Sequence, residues 1–173
     1  MAWINLGERG GSEYVESFLS ALERIGGDSL DDKEAEGVLF ESMKLLTGLA
    51  ICLNREPDAV WVAEEMPRLR QGVRAIFTHR KTLLYKYLIS IEPLLWGATQ
   101  DDWYQACIRR SAIQVFIDEI DQDVDHAILN RDFVDECDDE FREAASDAEQ
   151  LPPSAIPDIS LTHWWWTAPG KAG

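Results

Sequence analysis

A chain of 173 residues with 46% hydrophobic content can bury one sizeable core, and it is too short for two large domains. Its formal net charge of −16 argues against a direct grip on nucleic acid or on an anionic membrane, since both reward Lys and Arg that neutralise phosphates. Such a field attracts basic partners instead.

The first eleven residues have no basic region followed by an apolar run, so no secretory signal is expected. No window approaches the roughly 18 apolar residues of a membrane span, and a cytoplasmic location is expected. Cys52, Cys107 and Cys137 are widely spaced, contain no CxxC and fall on apolar helical faces. They read as small buried hydrophobes in a reducing compartment, not as a disulfide framework or a zinc site.

In chain order, Trp3, Ile4 and Leu6 precede a Gly-rich turn and form a short arm able to fold over the core. Ser12 reads as the cap of a helix with Val15, Phe18, Leu19, Leu22 and Ile25 on one face, closed by Gly26 and Gly27 as a left-handed C-cap. Asp28 to Asp32 is a capping region for a second helix to about Asn54, with Val38, Leu39, Met43, Leu46, Leu49, Cys52 and Leu53 apolar. Gly37 and Gly48 within it mark close approach to a neighbouring helix. Pro57 and Asp58 restart the chain. Residues 59–66 read as a short helix, and Pro67 either begins the next or kinks this one.

From Arg68 to Lys86 there are six basic residues and no acid. Val73, Ile76, Phe77, Leu83, Leu84, Tyr87, Leu88 and Ile91 supply the buried side there. Thr82 is placed to cap a separate helix up to Ser90, which Pro93 ends, and Trp96 and Gly97 turn the chain.

The stretch from Thr99 to Gln150 organises the rest. Thr99 and Asp102 form a capping pair, so a helix starts at about residue 100. Trp103, Cys107, Ile113, Phe116, Ile117, Ile120, Val124 and Ile128 then repeat at the three-and-four spacing of a buried stripe. Beyond Ile128, Val134, Cys137, Phe141, Ala144 and Ala148 sit about a quarter turn round. The helix therefore either breaks near Asn130, which can cap a new one, or rotates against a changed neighbour. Between Asp118 and Glu149 lie 14 acids against Arg131 and Arg142. Asp118, Asp121, Asp125, Asp132, Glu136, Asp139 and Glu143 share one azimuth if the helix is continuous, and form an acidic ridge.

After Gln150, Pro152, Pro153 and Pro157 give way to Leu161-Thr162-His163-Trp164-Trp165-Trp166. Proline at that density predicts an extended arm. With no repeat and no βαβ alternation, the fold class is all-α: a single-domain bundle of about five to seven helices over residues 1–150, with the arm at 151–173.

The plainer reading of the ridge is a solvated face, partly paired with the Arg68–Lys86 segment. The functional reading is a docking face, because six bases cannot offset so many acids and an uncompensated ridge costs stability. Asp121, Asp123, Asp125, Ile128 and Asp132 also fall at positions 1, 3, 5, 8 and 12 of an EF-hand loop. His126, however, stands where the sharp turn needs Gly, and Asp132 replaces the bidentate Glu. Of the histidines His79, His126 and His163, none lies in an HExxH, and no phosphate loop or nucleophile elbow is present, so no catalytic residue, metal or cofactor is assigned. Asp123 and His126 can share a helix face, and Glu64 and Glu65 point different ways, which makes a poor acid–base pair. Trp164, Trp165 and Trp166 either dock onto the domain or form an exposed aromatic anchor.

The expectation is an acidic module that binds a basic protein partner, in its most concrete form an immunity or antitoxin-type inhibitor of a cationic toxin such as a nuclease. One alternative is a helical metal- or ligand-binding protein or enzyme using residues 118–132. Another is a structural or adaptor subunit assembling through the Trp tail.

Overall fold

A computed structural model describes residues 6–97 and 99–168. Its helices are α1 (Gly11–Gly26), α2 (Asp32–Arg55), α3 (Val60–Ile89), the single turn α4 (Glu92–Leu95), α5 (Gln100–Val115) and α6 (Arg131–Ala145). A π-turn, Phe116–Ile120, ends α5, and 3-10 turns occur at Val124–His126, Pro153–Ala155 and Trp164–Thr167. The chain is an all-α bundle, and no helix among the described residues is long and apolar enough to cross a membrane.

Helix α1 packs on α2 and α3, and α2 packs on α5. Val15, Phe18 and Ile25 of α1 meet Leu39, Met43 and Leu46 of α2 in one continuous core with Met66, Leu69, Val73 and Phe77 of α3. Gly48 permits this contact, since a Cβ there would collide with the Tyr14 ring, whereas one at Gly37 would meet nothing. Only one of the two glycines therefore marks the expected close approach.

Several local expectations need correction. Gly10, not Ser12, precedes the first turn of α1, and it offers no side-chain cap. Gly27 is extended (φ −75°), so no left-handed cap closes that helix. Gly26 serves closeness instead, because a Cβ there would strike Ile76. The one left-handed glycine among the described residues is Gly7 (φ 82°), whose amide donates to the Tyr14 hydroxyl at 2.9 Å. Pro67 does not separate two helices. Met66, Leu69, Val73 and Phe77 bury one unbroken face of α3 across it, and the break in helical geometry comes at Arg80 (φ −122°, ψ 29°). Thr99 accepts from the Asp102 amide at 3.1 Å to start α5, as its spacing predicts, and within the capping region expected before α2 Asp31 and Glu34 form a reciprocal capping box.

The organising stretch is two helices with Asn130 before the second, one of the two readings its spacing leaves open, but the first helix ends earlier, at Ile120. The Asp121 amide bonds to Phe116 O at 2.7 Å, a wide final turn that unwinds α5 into a loop over residues 121–130. Asn130 then caps α6, its side chain accepting from the Asp132 amide at 3.0 Å.

Leu6 packs on the core, while Trp3 and Ile4 of the N-terminal arm lie outside the described residues. The C-terminal arm crosses α5 and α6. Asn54 and Arg55 hold it at Asp158, with the Arg55 ion pair at 3.1 Å, and Trp165 and Trp166 are buried at its end. Phe141 sits among Trp103, Trp164 and Trp165 with ring centroids 5.3–6.3 Å apart. Such ring pairs add roughly 0.5–1.5 kcal/mol each beyond the area they bury.

Candidate functional site

With α5 and α6 separated, the seven candidate acids no longer form one ridge. Asp118 lies in the π-turn, where its carboxylate accepts from the Gln114 amide at 2.8 Å. Asp125 is exposed in the 3-10 turn Val124–His126. Asp132, Glu136, Asp139 and Glu143 keep their helical spacing on α6 and all four are exposed.

Asp121 does not belong to any outward face, because it is completely buried. Its carboxylate accepts from the amides of Ile128 at 3.0 Å and Leu129 at 3.1 Å, and from the Arg131 guanidinium at 3.3 Å. The side chain thus pulls the loop closed beneath it. This is not the arrangement an EF-hand needs: the position-1 carboxylate is spent on protein donors, and Asp123 caps the turn at His126. Among the described residues no group of three or more His, Cys, Asp or Glu is gathered as metal ligands.

The basic residues of α3 find their partners away from α6. Arg68 pairs with Glu16 and Glu65, Lys86 with Glu36, and Arg80 approaches Asp32 at 3.9 Å, all acids of α1, α2 or α3 itself. Arg70 donates to the Glu119 carbonyl, and the charge of Arg74 reaches Asp123. Among the described residues no ion pair joins α3 to an acid of α6. Two acids of α6 are paired otherwise: Asp138 with Arg110 at 2.6 Å and Asp139 with Arg142 at 2.6 Å. Asp132, Asp135, Glu136, Glu140 and Glu143 remain on its water-facing side, around a carboxyl group at Glu140 that burial, then Glu92, Glu136 and Glu143, push up from its usual range.

Next to these acids the surface is apolar. Tyr85, Leu88 and Ile89 at the end of α3, Glu92 of α4, and Phe133, Glu136, Cys137 and Glu140 of α6 line a groove of about 310 Å³. Ile89 is 65% exposed and Phe133 47%, although Phe133 stands edge-on to Tyr85 at 5.4 Å. Neither residue was singled out as a site by the sequence. The available signal was phase, since Phe133 falls one position ahead of the Val134, Cys137, Phe141 stripe.

The Trp cluster is a latch. Ser111, fully buried in α5, accepts from the indole N–H groups of Trp165 at 3.0 Å and Trp166 at 2.8 Å, and its hydroxyl lies 2.9 Å from His163 Nδ1. With both oxygen lone pairs taken, Ser111 donates to an unprotonated Nδ1. Trp164 is half-buried beneath the Arg142 guanidinium, 5.2 Å from its centroid, so none of the three indoles stands free as an anchor.

Burial, then the charge of Arg110, lowers the His163 pKa from 6.5 to about 4. Between those values the unfolded chain binds the proton that the folded one refuses. Stability conferred by the arm is therefore complete above pH 6.5 and falls as pH drops towards 4, by up to about 3 kcal/mol. Urea unfolding followed by Trp fluorescence across that window should show this slope, and His163→Asn should flatten it.

The three cysteines are buried and free, and burial raises their thiol pKa values, that of Cys137 to about 12. They pack as small hydrophobes. No family model matches the chain, and neither a curated protein nor a solved structure is detectably similar to it.

Proposed function

We propose that the chain is a protein-binding module whose α6 face docks onto a basic protein and blocks it, as an immunity or antitoxin-type inhibitor blocks a cationic toxin. What carries the reading is that five carboxylates on the outward side of α6, with Glu92 beside them, lack a counter-charge from the basic residues of α3. Like charges held this close raise the energy of the free state, and a cationic surface relieves that repulsion as it docks. Charge complementarity also steers encounter, which suits an inhibitor that must reach its target before the target reaches a substrate. A nuclease is the natural form of such a target, since its substrate-binding surface is itself basic.

The test uses Asp135→Lys/Glu143→Lys, which leaves Asp132 in place because an acid in the first turn stabilises the helix N-terminus, and Asp139 because it pairs with Arg142. A basic partner recovered from the native cell should bind the double variant at least tenfold more weakly, a loss of about 1.4 kcal/mol or more, and should regain its own activity. Unchanged affinity, or an inhibitory effect that persists, would remove the proposal.

A further inference from the structure

Twice in this fold a guanidinium is held between an aromatic face and a carboxylate supplied by α6. Arg110 lies 4.4 Å from the Trp165 centroid and pairs with Asp138. Arg142 lies 5.2 Å from the Trp164 centroid and pairs with Asp139. The groove beside α6 repeats the other two parts of that set. Phe133 offers a half-exposed ring, and Glu136 and Glu140 follow it at one and two turns along the same face. Among the described residues no Arg or Lys makes an ion pair with Glu92, Glu136 or Glu140. The cation is the missing member.

We propose that this groove seats an arginine of the partner, its guanidinium over Phe133 and its N–H fork shared by Glu136 and Glu140, with a neighbouring apolar residue of the same segment covering Ile89 and Leu88. The inference rests on the docking reading above and names the chemistry that the partner must present. Arginine fits better than lysine. Its planar, weakly hydrated head stacks on a ring while donating to two carboxylates, whereas an ammonium is a compact, strongly hydrated point charge. The groove volume of about 310 Å³ suits one or two side chains, not a small folded element. The apolar floor explains why charge alone is not the whole signal: Ile89 and Phe133 are large hydrophobic groups kept at the surface between carboxylates.

Two synthetic helical peptides serve as probes, one with Leu and Arg along one face and one with Lys for every Arg, titrated into the isotopically labelled full chain. The Arg peptide should shift the backbone resonances of Ile89, Phe133, Glu136 and Glu140, and bind at least tenfold tighter than the Lys peptide. Glu136→Gln/Glu140→Gln and, separately, Ile89→Ser should each weaken the Arg peptide at least tenfold. Ile89 is exposed enough that its loss leaves the core intact. Equal affinity for the two peptides, or shifts confined to another surface, would overturn the arginine seat. If the Asp135 and Glu143 reversal still weakens binding to the native partner at least tenfold in that case, the docking reading survives without this groove. If it does not, both fall.

Discussion

Asp138→Ala is expected to lower the unfolding free energy by about 3–5 kcal/mol, because it strands a charge inside the protein. The Arg110 side chain is 3% exposed, and its Nε and Nη2 each reach one carboxylate oxygen of Asp138, at 2.6 and 3.0 Å. Its Nη1 is buried with no hydrogen-bond partner, so nothing nearby stands ready to take over from the lost acid. The pair joins α5 to α6 and sets the guanidinium against Trp165, which ties the arm into the same junction. Breaking one partner and replacing both are different perturbations. Arg110→Met/Asp138→Leu should recover much of the loss, since well-packed apolar groups often substitute for a buried pair at little cost. Chemical denaturation of the three proteins measures this directly. A loss under about 1 kcal/mol for Asp138→Ala would show that water reaches the guanidinium.

Asp121→Ala should cost a comparable amount, about 3 kcal/mol or more, for a different reason. The carboxylate is fully buried and satisfies two backbone amides and part of Arg131, so its removal leaves donors unpaired where water does not reach. Asp121→Asn retains an acceptor but no charge, and should fall between the native protein and the Ala variant. The effect has a spatial signature as well: amide hydrogen exchange at Ile128 and Leu129 should accelerate before that of α5. The capped start of α6 should hold, because Asn130 satisfies it locally. Exchange that accelerates uniformly would mean that Asp121 supports the whole bundle and not its loop.

These two residues also show where pattern reading stops. The all-α class and the start of α5 at Thr99 were legible because each depends on residues three or four apart. The break after Ile120 was not. It depends on a carboxylate that reaches amides seven and eight residues ahead, across a loop without Gly or Pro, while apolar residues happen to keep helical phase through it. An Asp-rich helix face and an Asp that organises a loop look alike in one dimension. Arg110 was readable in principle, since it stands on the Trp103, Cys107 stripe and a charge there must find a buried partner, but the identity of Asp138 required the fold. The docked arm was one of two open readings, and the choice turned on Ser111, whose two indole donors lie more than fifty residues away.

The candidate site was partly visible in the same sense. Asp132, Glu136, Asp139 and Glu143 are confined to one helix, so their shared exposure follows from spacing alone. Asp118, Asp121 and Asp125 required continuity across the junction, and the chain turns there instead. The groove at Ile89 and Phe133 joins segments more than forty residues apart and had no signature beyond an apolar residue out of phase.

The decisive comparison is site-resolved hydrogen exchange on the full chain, free and saturated with a basic protein recovered from the native cell. Protection should concentrate on α6 and the adjoining end of α3, with α1 and the α1–α3 face unchanged. Protection on the α1–α3 face, with α6 exchanging as it does in the free protein, would contradict the docking reading.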